Sequence, residues 1–444
     1  MQYITIFDYL LLPVYLYVFY LIIKSRSIKY TDPQLRKYYF TSFYLHMFGS
    51  VAYAMMVQYY YGYGDSFTFY YGGNFFTSQI LQDSSNIKYF FKPALEIKAW
   101  FDSEVNDLSV SGYFGVESNV SIMKISALLA AITFNKYLII GLFFGFFSFA
   151  GLWRLFLVFK DINKGKNDNL LAWTVLYMPS VWFWGSGLIK DSLCIGCVGF
   201  IVYFIHKLFV KKEFSITAIV ATILMVYALS VIKSYILIVL TTGLAVFIFY
   251  KFVTPFKNLV IRSFIIIAFL CGVVVIIFVT NFTDQLQLLA EESMLQVESF
   301  QRNYIAVQDT DERSRGNLNF REIDVSLGGM ITQSPVAIFN CLFRPFIWES
   351  RKIFILLSSF EALLMFLCTV FILVKLKFIG FFKEIFSSPF LLVSFIIALF
   401  FALIIGFTTY NFGTMARYKI ILLPFYFFTL VSLYTIAVEK RQKV

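Results

Sequence analysis

Ionisable side chains are scarce in this chain. Only 14% of its 444 residues are Asp, Glu, Lys or Arg, and its only histidines are His46 and His206. Soluble domains carry about 25% charged residues, so this chain has too few polar side chains to cover a water-soluble surface. Two separate histidines also leave no set of ligands of the kind that zinc requires. The composition therefore argues against a soluble globular protein and against a zinc centre.

The five cysteines do not indicate a redox or metal-binding site. Four of the five cysteines, Cys194, Cys197, Cys271 and Cys368, lie inside apolar runs, and Cys341 stands by itself in a predicted loop. Cys194 and Cys197 have the spacing of a redox motif, but both fall within a predicted membrane helix. We interpret them as small packing residues, since buried cysteines usually serve that role.

The chain is rich in apolar and aromatic residues. It is 59% hydrophobic and 20% aromatic, with a mean hydropathy of +0.76. A membrane span needs about 20 apolar residues, and the bilayer is the natural environment for such runs. This criterion predicts an all-α, polytopic transmembrane helical bundle of about eleven spans, forming a single integral-membrane domain over residues 1–444. The predicted spans are Ile4–Ile23, Phe40–Tyr60, Tyr137–Phe159, Leu170–Trp184, Ser192–Phe209, Ser215–Ile232, Tyr235–Tyr250, Phe264–Thr280, Ile353–Val374, Pro389–Phe407 and Ile420–Ala437.

The basic residues predict an orientation. They concentrate in alternate short loops, beginning with the loop that holds Lys24, Arg26, Lys29, Arg36 and Lys37. Because such loops remain in the cytoplasm, we expect the amino terminus outside and the carboxyl terminus inside. The net charge of +11 then marks topology, and no nucleic-acid partner is expected. The richness in Phe, Ile, Lys and Tyr is compatible with a protein of a bacterial inner membrane that is encoded by an AT-rich genome.

Two predicted outer loops are long, at residues 61–136 and 281–352. The first contains Ile122–Phe134, an apolar stretch that is too short to span and is predicted to form an interfacial or re-entrant helix. The second contains a possible helix at Asp284–Tyr304. Long loops in compact proteins are usually functional, so we expect any chemistry on the outer side.

A carboxylate stands at the start of the first outer loop. Asp65 follows Gly62 and Gly64 directly after the second predicted span, and Tyr70 and Tyr71 come shortly afterwards. A carboxylate at the membrane surface can act as general base toward a sugar hydroxyl, and the tyrosines can stack on sugar rings. The alternative is an interfacial aromatic belt with a solvated Asp in a glycine turn.

A second outer turn, Pro179–Ser192, carries a charged pair. Lys190 is predicted to hold a lipid phosphate and Asp191 to orient it, because ionisable groups at membrane depth usually serve a function. Trp182 and Trp184 in the same turn are predicted to shape a sugar site. The alternative is that Asp191 caps the next helix while Lys190 extends to the headgroups.

Three further cations are predicted on the outer side, namely Lys233, Arg344 and Arg417. A phosphate leaving group needs such cations to neutralise its charge, so all three are candidate clamps. Headgroup anchoring is the alternative for each. Asp309-Thr310-Asp311 has the spacing of a metal-bound sugar-phosphate motif but lies in a polar, flexible-looking run. We therefore predict neither a metal nor another cofactor.

These features resemble the GT-C superfamily of integral-membrane glycosyltransferases. That superfamily places its catalytic carboxylate where Asp65 stands and has interfacial helices similar to Ile122–Phe134. The Arg417-Tyr418 pair before a final span that contains Pro424 is similar to a pattern in related polymerases of O-antigen type. The resemblance implies a polyprenyl-phosphate-linked sugar as donor and a glycan or lipid as acceptor. It departs in requiring one extra amino-terminal helix. No Asp-x-Asp lies near Asp65, which favours a metal-independent reaction.

The sequence therefore predicts a membrane glycosyltransferase in which Asp65 accepts the acceptor's proton. A polymerase or ligase of lipid-linked oligosaccharides is the nearest alternative, and there arginines would matter more than a carboxylate. A transporter or flippase belongs to another class, disfavoured by the lack of a visible repeat and the few mid-membrane charges. A non-catalytic membrane scaffold is the remaining alternative.

Overall fold

The computed structural model describes residues 3–105, 107–253, 327–350, 353–409 and 411–442, and its regular elements there are all helical. The α-helices are α1 (Ile6–Ser27), α2 (Pro33–Met55), α3 (Asp65–Gln82), α4 (Ala94–Glu104), α5 (Leu108–Phe114), α6 (Glu117–Thr133), α7 (Tyr137–Ile162), α8 (Asp168–Val175), α9 (Pro179–Trp184), α10 (Lys190–His206), α11 (Ile216–Ile232), α12 (Ser234–Val253), α13 (Leu327–Phe343), α14 (Ile353–Leu376), α15 (Phe378–Ser387), α16 (Pro389–Thr408), α17 (Phe412–Tyr418) and α18 (Leu422–Gln442).

Seven helical segments in this part of the chain are long and apolar enough to cross a membrane. They are α1, α7, α10 with its π-helical extension to Lys211, α12, α14, α16 and the continuous stretch Phe412–Gln442. The predicted helical membrane class is therefore confirmed. The expected total of about eleven spans stays a prediction, since the predicted span Phe264–Thr280 lies outside the described residues, as do Asp284–Tyr304 and Asp309-Thr310-Asp311.

The apolar residues of these helices are not all buried. One side of α1 exposes a row of large hydrophobic residues, and α14 does the same; the rows are Ile6, Phe7, Leu10, Val14, Leu21 and Leu357, Phe360, Leu364, Leu367, Phe371. Apart from the adjacent Ile6 and Phe7, separations of three, four or seven residues place each row on one helix face. A soluble protein could not tolerate such faces. They fit contact with lipid tails and indicate an integral membrane protein.

One predicted span is broken. The segment Leu170–Trp184 folds as the two short helices α8 and α9, and Met178 between them is extended, with φ −60° and ψ 123°. Pro179 follows directly, and a proline disfavours helical geometry in the preceding residue. Pro179 itself begins α9, where its missing N–H costs nothing.

The described chain divides into two compact units, Met1–Ile238 and Val239–Val444, with the boundary inside α12. In the first unit α7 packs against α2 and α10. A Cβ added to Gly151 of α7 would lie 2.2 Å from the carbonyl oxygen of Gly196 on α10. Small residues allow such close backbone approach between membrane helices, so α7 and α10 form a tightly packed pair.

A buried carboxylate joins α1 to α7. Asp8 is fully buried; it accepts a hydrogen bond from the Thr5 N–H (2.8 Å) and another from the Leu138 N–H (3.0 Å). Both donors belong to helix amino termini, whose N–H groups lack partners within the helix. Asp8, which the sequence did not single out, therefore caps two helices at once.

The first predicted outer loop, residues 61–136, is largely helical. The predicted helix Ile122–Phe134 corresponds to α6, which begins at Glu117 and meets α5 at a bend of 97°. It packs along α3, where a Cβ added to Gly72 would lie 2.4 Å from the Met123 sulfur. The glycines after Asp65 therefore serve helix packing instead of loop flexibility.

The second unit is built around α18, which packs against α14 and α16. The Ser394 hydroxyl of α16 donates to the Phe425 carbonyl oxygen of α18 at 2.9 Å. Gly406 of α16 lies so close to α13 that an added Cβ would be 2.4 Å from the Ala337 carbonyl oxygen. The predicted single domain over 1–444 stays a prediction.

Candidate functional site

A glycine turn positions Asp65. After α2 and its π-helical turn (Met56–Tyr61), Gly62 adopts φ +73° and Gly64 adopts φ +139°. Both values lie in regions that side chains with a Cβ rarely occupy. This turn makes Asp65 the first residue of α3, where the helix dipole favours a negative charge. Helix stabilisation is thus one role of the residue, and its contacts indicate a second.

Tyr113 holds the Asp65 side chain. The Tyr113 hydroxyl donates to Oδ1 of Asp65 at 3.1 Å, and both residues are partly exposed. Asp65 lies next to Ser66, whose hydroxyl is 2.8 Å from that of the buried Tyr137. Tyr113 therefore ties the carboxylate to α5, Ser66 ties the start of α3 to α7, and Asp65 remains partly exposed.

Lys190 lies beside the same helix. It begins α10, its Nζ donates to the Ser118 hydroxyl at 2.7 Å, and Nζ lies 5.9 Å from the ring centroid of Phe69. Phe69 is buried one turn after Asp65 on α3, and its ring also contacts Tyr113. A cation at a helix amino terminus opposes the dipole, so Lys190 needs these side-chain contacts. They bring Lys190 into the cluster that contains Asp65.

Asp191 and Lys233 form a buried ion pair. Asp191 is 0% exposed and the Lys233 side chain is 9% exposed. Lys233 follows α11, and its Nζ also lies 5.9 Å from the ring of Tyr235. Removing one partner of such a pair leaves a buried charge uncompensated. The predicted phosphate-binding role of Lys233 stays a prediction; its observed ion pair is with Asp191.

The two predicted tyrosines contact protein aromatics. The Tyr70 hydroxyl donates to the Asn135 carbonyl oxygen at 2.8 Å, and its ring lies 5.4 Å from that of Tyr137. Burial raises the pKa of Tyr70 to about 12, so the hydroxyl remains a donor at neutral pH. The Tyr71 ring contacts Phe101 edge-on at 6.3 Å. These contacts place both residues in the packing of the helical loop, and their predicted stacking on sugar stays a prediction.

The two tryptophans lie on α9, against α2. Nε1 of Trp182 donates to the Tyr177 carbonyl oxygen at 3.2 Å, and a Cβ added to Gly49 would be 2.3 Å from the Trp182 carbonyl oxygen. The Trp184 ring lies 6.0 Å from that of the buried Tyr53. These contacts join α9 to α2, and the sugar-binding role of the tryptophans stays a prediction.

Arg344 contacts Glu349 and Phe412 within the second unit. Its guanidinium makes a two-pronged contact with Glu349, with Nε 3.1 Å from Oε2, and lies 5.5 Å over the ring of Phe412. The Arg344 carbonyl oxygen accepts a hydrogen bond from the buried Lys419. Two-pronged contacts fix a guanidinium in one orientation, so Arg344 is a rigidly held cation.

Arg417 lies on α17, the short helix that carries Phe412. Its guanidinium is 5.8 Å from the ring centroid of the neighbouring Tyr418. Arg344, Arg417 and Lys419 thus all contact or belong to the segment Phe412–Ile421. The sequence predicted the two arginines separately; the structure brings this part of the second unit together around them.

Sequence reasoning missed four residues of these clusters, which are Tyr113, Ser118, Glu349 and Lys419. Glu349 lies five positions after Arg344, a spacing that the 3₁₀ turn Ile347–Glu349 brings into contact. Tyr113 and Ser118 reach their partners only through the fold of the helical loop. Among the described residues, no group of three or more His, Cys, Asp or Glu side chains is placed to hold a metal ion.

The chain matches no protein-family model, no curated protein sequence and no solved structure. Its function is therefore argued from the residues described above.

Proposed function

We propose that this protein is a membrane glycosyltransferase that moves a sugar from a polyprenyl-phosphate donor to a glycan or lipid acceptor. The observation that carries the proposal is that Phe69 and Tyr113 link a partly exposed carboxylate and a cation into one cluster of side chains. Asp65 is held by Tyr113, and Lys190 is held against Phe69, one turn further along α3. Transfer from a sugar phosphate requires this combination of a base and a cation.

In the proposed reaction, the acceptor hydroxyl oxygen bonds to the anomeric carbon while the bond from that carbon to the phosphate oxygen breaks. Asp65 takes the proton from the hydroxyl. The polyprenyl phosphate leaves with the electron pair of the broken bond, and Lys190 stabilises its negative charge. Asp191, paired with Lys233, fixes the start of α10 and hence Lys190. No metal takes part in this scheme.

Under this proposal Asp65 faces the outside of a bacterial inner membrane, with the amino terminus outside and the carboxyl terminus in the cytoplasm. The basic loops support that orientation through the positive-inside bias. Lipid-linked sugars enter such a site sideways from the bilayer, so membrane lipids surround the substrate. The resemblance to the GT-C superfamily supports the proposal through the position of Asp65 at the start of a long helical outer loop.

The test is turnover by the full chain in vesicles. The substrates are a panel of polyprenyl-phosphate hexoses that carry a radiolabelled sugar, together with a glycan acceptor extract, and the readouts are label transfer and released polyprenyl phosphate. Wild-type protein is expected to release one lipid phosphate for each sugar transferred. Release without transfer, or no turnover with any donor, contradicts the proposal.

A second candidate is a polymerase or ligase of lipid-linked oligosaccharides. The observation that favours it lies in the second unit, where Arg344 is rigidly held by Glu349 beside the α17 helix that carries Arg417. Such cations suit a lipid diphosphate. Product length separates the two candidates: a polymerase gives a ladder of repeats and loses it when Arg417→Gln is introduced, whereas a transferase adds a single unit.

A further inference from the structure

A cavity of about 370 Å³ opens in the first unit, lined by residues of α1, α2, α7, α10 and the segment that begins α11. Four basic side chains line it, namely Arg26, Lys29, Arg154 and Lys207. None of them belongs to the Asp65 cluster. The cavity is therefore a feature that the proposed transfer reaction does not use.

The cavity lies at the opposite end of the helices from Asp65. On α7, Tyr137 contacts Ser66 beside Asp65, and Arg154 follows after a helical rise of roughly 25 Å. On α10, the helical rise from Lys190 to Lys207 is again roughly 25 Å. The hydrocarbon core of a bilayer is about 30 Å thick. The two ends of the first unit thus face opposite leaflets.

The charges around the cavity are unbalanced. Glu213 is the one carboxylate among its described lining residues, and it lies 2.8 Å from Lys207. Within the part of the chain that the structure describes, Arg26, Lys29 and Arg154 have no carboxylate partner. Three cations around one cavity repel one another, and a bound anion would relieve that repulsion.

Arg154 is the most informative of these cations. It lies inside the apolar helix α7, about 12 Å of helical rise before its last residue, Ile162. Its guanidinium stacks 4.3 Å over the ring of Phe200 and donates to the Ala150 carbonyl oxygen at 2.7 Å. A cation within a membrane helix is costly and usually functional. Arg154 keeps these contacts while it lines the cavity.

The cavity wall beside these cations is rigid. Nε1 of Trp153 donates to the Tyr30 hydroxyl at 2.6 Å, and the Tyr39 ring lies 4.8 Å from Trp153 and 5.1 Å from Tyr30. Tyr30, Tyr39 and Trp153 are all largely buried. Such a preformed wall lowers the ordering cost of binding, and this distinguishes the cavity from a set of flexible surface lysines.

We propose that this cavity binds the phosphate group of an anionic lipid from the leaflet opposite the Asp65 site. The phosphate contacts Arg154, with the exposed Arg26 and Lys29 at the rim. Phe214 lines the same cavity and is 80% exposed, and the neighbouring Ile216 is 82% exposed. These apolar side chains give an acyl chain a surface to follow, which a free phosphate ion would not need.

The test is lipid retention by the full chain. Purified, delipidated protein in detergent is incubated with phosphatidylglycerol or with phosphatidylcholine, and bound lipid is counted by native mass spectrometry. Wild-type protein is expected to retain phosphatidylglycerol preferentially. Because a cation near a lipid headgroup contributes about fivefold in affinity, Arg154→Gln should lower retention at least about fivefold. The rim double variant R26Q/K29Q should lower it by roughly 25-fold.

Lys37→Gln is the matched control. Lys37 is exposed on α2, near the loop between α1 and α2 that holds Lys29, and it does not line the cavity. It removes the same charge and should retain lipid as wild type does. Equal loss in the control, or unchanged retention in both Arg154→Gln and the rim variant, overturns the proposal. If Arg154→Gln fails to fold, the exposed rim variant decides. Displacement of the lipid by millimolar inorganic phosphate would assign the site to the free ion and overturn the lipid assignment.

Discussion

The two ends of the first unit use the same helices for opposite electrostatic purposes. At the Asp65 end Asp191 and Lys233 compensate each other's charge, and neutral hydroxyl groups of Tyr113 and Ser118 hold Asp65 and Lys190. At the Arg154 end the described cations outnumber the single carboxylate of the cavity. A compensated cluster suits proton transfer and precise positioning, whereas an uncompensated one suits the capture of an anion. Under the proposal above, the basic residues around this cavity bind an anion in addition to marking topology.

The largest effect is expected from Asp65→Asn, which keeps the size of the side chain and removes the base. A general base contributes about 10²–10⁴-fold to rate, so turnover should fall by that factor while folding and lipid retention at the Arg154 end are unchanged. Asp83→Asn is the matched control, because Asp83 follows the last residue of α3, roughly 27 Å away along the helix. Wild-type turnover in Asp65→Asn would remove the residue from the reaction.

The second-largest effect is expected from breaking the buried Asp191–Lys233 ion pair. Asp191→Asn leaves Lys233 uncompensated and should destabilise the protein by about 3–5 kcal/mol. The double variant D191N/K233M removes both charges and should recover most of that loss. Thermal unfolding in detergent compares the wild type, the single variants Asp191→Asn and Lys233→Met, and the double variant. Lys92→Met, which breaks the exposed pair with Glu96, should leave the midpoint unchanged. Additive losses in the double variant would show that the two charges do not interact.

A packing change should affect both ends together. Gly151→Ala introduces a methyl group that would lie 2.2 Å from the Gly196 carbonyl oxygen, and overpacking of this kind costs about 1–3 kcal/mol. Turnover and lipid retention should decline in parallel with the thermal midpoint. Gly112→Ala is the control, because no atom lies within 4 Å of its added Cβ. Loss of one activity with the other intact would show that the ends do not depend on this helix pair.

The smallest expected effect comes from Tyr113→Phe, which removes one hydrogen bond to Asp65. A bond to a charged group contributes about 1.5–3 kcal/mol, and partial exposure places this one at the lower end, so turnover should fall roughly tenfold. Lipid retention should not change. Tyr63→Phe, in the exposed glycine turn, is the control. A loss as large as that of Asp65→Asn would mean that Tyr113 contacts the substrate directly.

Much of this architecture follows from composition and spacing. Apolar runs of helical length predicted α1, α7, α14 and α16 because a membrane span requires them. Hydropathy placed a short span at Leu170–Trp184 but could not locate its break, because it is insensitive to the backbone restriction that Pro179 imposes. The packing role of Gly72 and Gly73 could not be predicted, since their close approach to α6 depends on a partner distant in sequence.

Some residues of the candidate site also stand out in the sequence, and others depend on the fold. Asp65, Lys190 and Asp191 could be predicted because ionisable residues are conspicuous where a helix meets the membrane surface. Tyr113 could not, because its contact with Asp65 requires the fold of the intervening helices. Arg154 was missed for another reason: one cation within a long apolar run resembles an anchoring residue until the cavity beside it is seen.

The glycine turn before Asp65 has a consequence for the pattern of tolerated mutations. Gly62 and Gly64 make no side-chain contact, yet Gly64 has φ +139° and ψ 168°, a backbone region essentially restricted to glycine. In a saturation mutagenesis map, Gly64 should therefore reject nearly every residue, alanine included, and Gly62, with φ +73° and ψ −2°, should accept little besides Asn and Asp. A screen for loss of function would recover these glycines alongside the carboxylate, although neither of them takes part in any chemical step.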